Sequence, residues 1–415
     1  MNSNTTQAAR QRTPLSTPAR RRLLAVLALG FLALPACADP ADSRGTLVSA
    51  DPIADLDLNV EQIGQYLTEF GLDPAAAHYA VKTFQYVYRT VDTSGEPTIA
   101  SGLLALPATG DDRELPLVTW LHGTRVYRGE VASVDANSDD RRFVMAFASA
   151  GYVVTAPDYL GLGRSPVPHP WMDPGAAITG SMDALQATLE ISAREDRRLT
   201  RDVLVTGFSQ GGNSAMALGR ALQQRENPDL ALGALAPIGG GYGWSQWIKS
   251  ALAEESAIIP EAATIYLGYL TVAWNRLHHF YGAPSEAFRS PYDETVETLF
   301  DNDHTIEQIF PAMPVHPSDL LTAEFIARLQ QPTGELADAL AAADAVCDWT
   351  PGVPVHLYAA GGDQEMPIAS TEHCRDALEE RGAEVEVIDV GDFDHFGSAM
   401  ESVPRILELF DGLTR

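Results

Sequence analysis

Residues 202–222 predict a strand, a sharp turn and a helix in immediate succession. The apolar, β-branched run DVLVT (202–206) is typical of a buried strand, and the stretch from 212 onward is typical of a helix. Between them lies GFSQG, with Ser209 at the turn. Gly207 and Gly211 fit this turn because only a residue without Cβ is tolerated where strand and helix crowd each other. In that context Ser209 is a candidate nucleophile, with an ordinary strand-to-helix turn as the alternative.

Short hydrophobic runs alternate with helical stretches along most of the chain. The runs cover residues 79–91, 98–106, 115–121, 152–156, 203–208, 232–238, 353–359 and 385–390. The helical stretches cover residues 60–70, 141–150, 180–194, 213–223, 370–381 and 398–409. This alternation predicts an α/β fold with a mostly parallel central sheet and helices on both faces. Ligands of such sheets bind beyond the carboxyl ends of the strands.

Residues 244–345 interrupt the alternation, and we call them the insertion. The insertion is helical in pattern, and ten aromatic residues lie between positions 242 and 292. These aromatics are typical of a subdomain with its own core, or of a lid that lines an apolar substrate pocket. The sequence thus predicts a core in two parts, 59–243 and 346–415, with a helical lid between them.

The balance of charges limits the partners. The 415 residues include 56 Asp and Glu against 28 Lys and Arg, a net charge of −28. Such an excess of acidic residues argues against a nucleic-acid partner and against electrostatic docking to anionic lipid.

The first 36 residues have the pattern of a secretory signal peptide. Three arginines (20–22) precede a twelve-residue apolar run and then Cys37 in the sequence LPAC. This ending predicts a lipoprotein signal with Cys37 lipidated, and ordinary cleavage nearby is the alternative. Residues 37–58 predict a flexible tether. We therefore expect an exported protein, either a cell-envelope lipoprotein or a secreted one, that contacts a membrane only through the lipid anchor.

Two cysteines remain after such processing, Cys347 and Cys374. In an oxidising compartment they can form a disulfide, and two buried free thiols are the alternative.

A serine nucleophile needs a base, usually a histidine held by a carboxylate. In this architecture the partners follow in the order serine, acid, histidine. Asp363 follows the run 353–359 and is the preferred acid, with Glu365 second. His395 follows the run 385–390, in a predicted loop before the last helix, and is the preferred base.

The negative charge that develops during acyl transfer also needs backbone N–H donors. The amide of Gln210, directly after Ser209, is one candidate. The other is the amide of Thr124, in the loop that follows the run 115–121. The alternative for this loop is a simple strand end.

These segments resemble the α/β-hydrolases, and more narrowly the exported bacterial esterases related to secretory lipases. The similarity rests on HGT (122–124), GYVVTAPDYLGLG (151–163) and TGFSQGG (206–212). It extends from about residue 79 to the C-terminus. One departure is Asn213, where many relatives have histidine. In the same resemblance, Asp158 is a structural anchor and not the catalytic acid.

The resemblance implies an α/β-hydrolase fold and hydrolysis of small-molecule carboxylic esters through an acyl-enzyme, with no metal and no cofactor. Two alternatives remain at this point: an exported serine peptidase of the same fold, and an inactive surface-tethered binding protein. A peptidase would need acidic groups for a substrate ammonium, and the insertion offers few obvious ones. The physiological ester, water against an alcohol as acyl acceptor, and the oligomeric state are not predicted.

Overall fold

The computed structural model describes residues 44–414, which form a nine-stranded sheet flanked by helices. The strands are β1 (Leu47–Pro52), β2 (Val81–Val91), β3 (Pro97–Pro107), β4 (Leu115–Leu121), β5 (Val153–Pro157), β6 (Leu199–Phe208), β7 (Ala231–Ile238), β8 (Val355–Ala359) and β9 (Val385–Asp389). Their order in the sheet is β1-β2-β3-β5-β4-β6-β7-β8-β9. From β5 to β9 neighbouring strands are parallel, whereas β1, β2 and β3 are joined by antiparallel pairing, and β3 is antiparallel to β5. The expected mostly parallel α/β sheet is confirmed.

The helices that cover the sheet lie on both faces. They are α1 (Val60–Phe70), α2 (Asp139–Ala150), α3 (Pro174–Arg194), α4 (Gln210–Gln223), α12 (Ile368–Glu379) and α13 (His395–Thr414). One hydrophobic core holds the buried side chains of α3, α4 and α12, and another holds those of α1, α2 and α13. Successive residues of the central strands supply opposite cores: Leu117 packs in the first and Val118 in the second.

Between β7 and β8 the chain is helical. This segment contains α5 (Trp244–Ala251), α6 (Pro260–His278), α7 (Val296–Leu299), α8 (Ile306–Ile309), α9 (Pro317–Leu320), α10 (Ala323–Gln330) and α11 (Glu335–Asp344). Its aromatic and aliphatic side chains form a third core, which also takes in Trp171 and Met366 from outside the insertion. Nine of the ten aromatic residues between positions 242 and 292 belong to this third core, and Tyr242 belongs to the first.

A disulfide joins Cys347, just after the insertion's last helix, to Cys374 in α12. The two cysteines are 27 positions apart, and strand β8 lies between them in the sequence.

The predicted tether is wrong for the described residues 47–58. Strand β1 pairs with β2 in antiparallel register, and Leu58 forms a further bridge with Val81. The pairing is made by backbone groups, and in β1 only Leu47 is buried. The side-chain pattern therefore carries little strand signal. The predicted signal peptide (1–36), Cys37 and the rest of the tether lie outside the described residues. None of the helices in residues 44–414 combines enough length and hydrophobicity to span a bilayer.

Candidate functional site

Ser209 lies at the sharp turn between β6 and α4. Its backbone has φ 58° and ψ −116°, a left-handed conformation that non-glycine residues rarely adopt. The turn is closely packed: a Cβ on Gly207 would come within 2.6 Å of the carbonyl oxygen of Leu121, and one on Gly211 would collide with the same oxygen. Both glycines are therefore required for α4 to start directly against the end of β4.

The structure brings three predicted side chains into one hydrogen-bonded chain. The Oγ of Ser209 lies 2.8 Å from Nε2 of His395, and Nδ1 of His395 lies 2.6 Å from Oδ2 of Asp363. All three residues are at most 6% exposed. Since the carboxylate only accepts, Nδ1 carries the hydrogen in the neutral ring and Nε2 is left to accept from the serine hydroxyl.

The environment of each partner is specific. The other oxygen of Asp363, Oδ1, accepts from the backbone N–H groups of Glu365 (2.8 Å) and Met366 (2.9 Å). Glu365, the second candidate acid, instead accepts from the hydroxyl of Tyr266 at 2.6 Å. The sequence predicted His395 in a loop before the last helix. In the structure His395 is instead the first residue of α13. The Phe208 ring lies 4.6 Å from the imidazole.

The two predicted oxyanion donors lie on neighbouring segments. Gln210 is the first residue of α4. The loop carrying Thr124 packs closely against Phe208, the residue before Ser209. A Cβ on Gly123 would lie only 3.1 Å from the Phe208 ring. Within residues 44–414, neither the amide of Thr124 nor that of Gln210 donates to a protein acceptor. Both backbone N–H groups are thus left without a protein acceptor in the described part of the chain.

A cavity of about 620 Å³ opens beside this loop. Apolar side chains from the insertion form much of its wall: Ile259, Ala262, Ile265, Ile306 and Phe310. The loop after β4 contributes Thr124, Arg125, Val126 and Glu130, and two further carboxylates come from Glu261 and Glu365. The cavity volume lies within the range of about 300–1,000 Å³ typical of small-molecule sites.

The charged groups of the cavity differ in their pairing. The guanidinium of Arg125 bonds the buried carboxylate of Asp140 at 2.6 Å. Burial raises the pKa of Asp140, but Arg125, His122 and the hydrogen bond from Trp120 together outweigh this effect and hold the pKa below its ordinary value. Partial burial raises the pKa of Glu130.

Two residues singled out from the family resemblance lie near the site without joining the chain of hydrogen bonds to Ser209. Asp158 is buried and accepts from the hydroxyls of Ser101 and Ser133, each at 2.6 Å. Burial raises the pKa of this carboxyl. The side chain of Asn213 donates to the carbonyl of Gly241 at 2.9 Å.

Sequence reasoning missed His169 and Trp171, which contact the two oxyanion candidates. They lie in the segment between β5 and α3, and the separation in sequence is 41 positions between His169 and Gln210 and 47 positions between Trp171 and Thr124. The segment has no regular periodicity, so no local signal could have identified their contacts.

Comparison with known proteins identifies a family and several similar structures. The family model described as secretory lipase matches residues 131–411. No curated protein gives a significant match. A putative hydrolase from Legionella pneumophila has a similar structure, with a TM-score of 0.82 and 26% identity over 89% of this chain and 98% of that one. The rice cell wall degrading esterase LipA from Xanthomonas oryzae gives a TM-score of 0.79 and 25% identity over the same shares.

A more distant structure shares the fold alone. Lipase A from Candida antarctica is 14% identical, with a TM-score of 0.65 over 90% of this chain and 83% of that one. The family match covers about two thirds of the sequence, and the chain therefore belongs to the secretory lipase family, whose members are carboxylic ester hydrolases of the α/β-hydrolase fold.

Proposed function

We propose that this ester hydrolase uses Ser209 as nucleophile, His395 as general acid and base, and Asp363 to orient His395. The observation that carries the proposal is the continuous hydrogen-bonded chain from the Ser209 hydroxyl through both imidazole nitrogens to a buried carboxylate. Asp363 holds the tautomer in which Nε2 can take the hydroxyl proton.

The reaction then proceeds in two halves. As Ser209 Oγ attacks the ester carbonyl carbon, its proton moves to Nε2 of His395. The resulting oxyanion accepts from the amides of Gln210 and Thr124. Collapse of this intermediate breaks the bond to the alcohol, which leaves with the proton from His395. Water then attacks the acyl-Ser209 carbonyl, His395 takes its proton and returns it to Ser209, and the acid is released.

The cavity supports esters with an apolar acyl or alcohol group. Its isoleucines and Phe310 offer apolar surface that a hydrocarbon group would remove from water. A second candidate is favoured by one observation. Three carboxylates line the same cavity, one from the insertion (Glu261) and two from outside it (Glu130 and Glu365), and they would suit the ammonium of an aminoacyl substrate. This keeps a peptidase of the same fold as the alternative.

Parallel assays on the purified protein separate the two candidates. We expect kcat/KM for p-nitrophenyl esters to rise as the acyl chain is lengthened from acetate to octanoate, because each added methylene buries more apolar surface. We expect alanine p-nitroanilide to be cleaved far more slowly. Faster cleavage of the anilide than of any ester would favour the peptidase.

The family is that of secretory lipases, which suggests an exported protein. We propose in addition that residues 1–36 are removed as a signal peptide and that Cys37 is lipidated. In a bacterial host the protein is then expected in the membrane fraction, and Cys37→Ser is expected to move it to the soluble fraction. Intact mass measurement distinguishes the two forms. A wild-type chain that keeps residues 1–36, or starts elsewhere without added lipid, would contradict the proposal.

A further inference from the structure

The segment between β5 and α3 contacts both oxyanion candidates through side chains. Nε2 of His169 lies 3.0 Å from the side-chain nitrogen of Gln210. Two residues further on, the indole N–H of Trp171 donates to the Thr124 hydroxyl at 3.0 Å. One short stretch of chain, His169-Pro170-Trp171, therefore contacts both residues whose backbone amides are proposed as oxyanion donors.

The direction of the His169 bonds follows from their partners. Nδ1 lies 2.6 Å from the carbonyl oxygen of Leu160, which can only accept, so Nδ1 carries a hydrogen. Burial lowers the pKa of His169 to about 4, and the ring is neutral at ordinary pH. Nε2 then has a free lone pair, and the side-chain NH2 group of Gln210 donates to it. Hydrogen bonds to Leu160 and Gln210 thus fix the orientation of the imidazole ring.

The bond from Trp171 uses a lone pair of the Thr124 hydroxyl. Because the indole N–H can only donate, the Thr124 hydroxyl accepts in this contact and its own hydrogen stays available for another acceptor. Thr124 is also one of the residues that line the cavity proposed for the apolar group of the substrate.

The insertion holds this stretch from the other side. The backbone N–H of His169 donates to the side-chain oxygen of Asn302 at 2.9 Å. The nitrogen of the same side chain donates to the carbonyl of Val126, and the backbone oxygen of Asn302 accepts from the Arg128 N–H at 2.8 Å. The indole of Trp274 in α6 donates to the Trp171 carbonyl at 2.9 Å. Asn302 is fully buried, so these bonds are shielded from water.

We propose that His169 and Trp171 are positioning residues for the oxyanion hole, with His169 acting through Gln210 and Trp171 through Thr124. The inference rests on the function proposed above. A donor amide stabilises the transition state only when it is aimed at the developing oxyanion, and loss of one such donor costs about 10²–10³ in kcat. Partial misplacement of a donor is expected to cost less, on the order of tenfold, and to affect kcat more than KM.

Two substitutions at His169 separate its bond to Gln210 from its bond to Leu160. The side-chain N–H of asparagine reaches where Nδ1 lies, so His169→Asn can keep the bond to Leu160 but loses the acceptor for Gln210. The side-chain oxygen of glutamine reaches where Nε2 lies, so His169→Gln keeps the acceptor and loses the bond to Leu160. We expect His169→Asn to lower kcat for p-nitrophenyl butyrate about tenfold with KM within twofold. We expect His169→Gln to keep kcat within about threefold of the wild type.

A double variant tests whether His169 acts through the side chain of Gln210. Gln210→Ala removes that side chain and keeps the backbone amide, so adding His169→Asn to it should lower kcat no further.

For Trp171→Phe, which keeps an aromatic ring but removes the indole N–H, we expect a loss of kcat similar to that of His169→Asn. Thermal unfolding of every variant identifies those that fold.

The outcomes are distinguishable. Equal losses in the folded asparagine and glutamine variants, additive losses in the double variant, or changes confined to KM would overturn the positioning role. Absence of ester turnover in the wild type would instead contradict the proposed function itself.

Discussion

Replacing Ser209 with alanine is expected to lower kcat for ester hydrolysis about 10⁶-fold, the size of effect seen when a serine hydrolase loses its nucleophile. Without Oγ no acyl-enzyme can form, and the residual rate comes from the oxyanion donors and binding alone. The loss should appear in kcat because the hydroxyl forms a covalent bond only as the reaction proceeds. Steady-state kinetics with p-nitrophenyl butyrate measures it.

A fluorophosphonate probe provides an independent readout of the same residue. The wild type is expected to be labelled at Ser209, and the alanine variant is expected to stay unlabelled. Ser94→Ala, at an exposed turn, is the control and should be labelled and active as the wild type is. Retained turnover in a folded Ser209→Ala protein would remove Ser209 from the mechanism, and a wild type that is neither labelled nor active would favour the inactive binding protein.

Asp363→Asn is expected to lower kcat about 10⁴-fold, because an amide in place of the carboxylate leaves His395 in the wrong tautomer. The amide can donate to Nδ1, which moves the ring hydrogen to Nε2. His395 then has no lone pair facing the Ser209 hydroxyl. The volume of the side chain barely changes, so the loss should come without unfolding. Kinetics combined with thermal unfolding measures both effects.

Glu365→Gln is the matched comparison for this prediction. The carboxylate of Glu365 accepts from the Tyr266 hydroxyl, whereas His395 bonds Asp363. In the variant, the side-chain oxygen of glutamine can still accept from Tyr266. We expect kcat to fall less than tenfold in this variant, since no proton transfer depends on the group. A larger loss for Glu365→Gln than for Asp363→Asn would exchange their assignments.

The central strands were predictable because their side chains alternate between two buried faces. The run 115–121 coincides with β4, and the neighbouring parallel strands fall within a few residues of their expected bounds. The positions of Ser209, Asp363 and His395 along the chain followed from where these strands end. Periodicity and chain order were sufficient to predict that these three side chains meet.

Other elements depend on contacts that no local pattern records. Helix α3 begins at Pro174, six residues before its predicted start, because Asp173 caps it by accepting from the Ala176 N–H at 2.7 Å. Glycines at 175 and 180 conceal that start in the sequence. The edge strand β1 and the contacts of His169 likewise arise only when distant segments meet.

The distances along the chain between the three reactive groups have a consequence for how the protein matures. Ser209 and His395 are 186 residues apart, and the insertion and the strand leading to Asp363 lie between them. The imidazole enters the site only with the first residue of the C-terminal helix. If His395 is the base, as proposed, a chain in which α13 has not yet been synthesised or docked is expected not to cleave esters, and the onset of turnover would report the docking of α13.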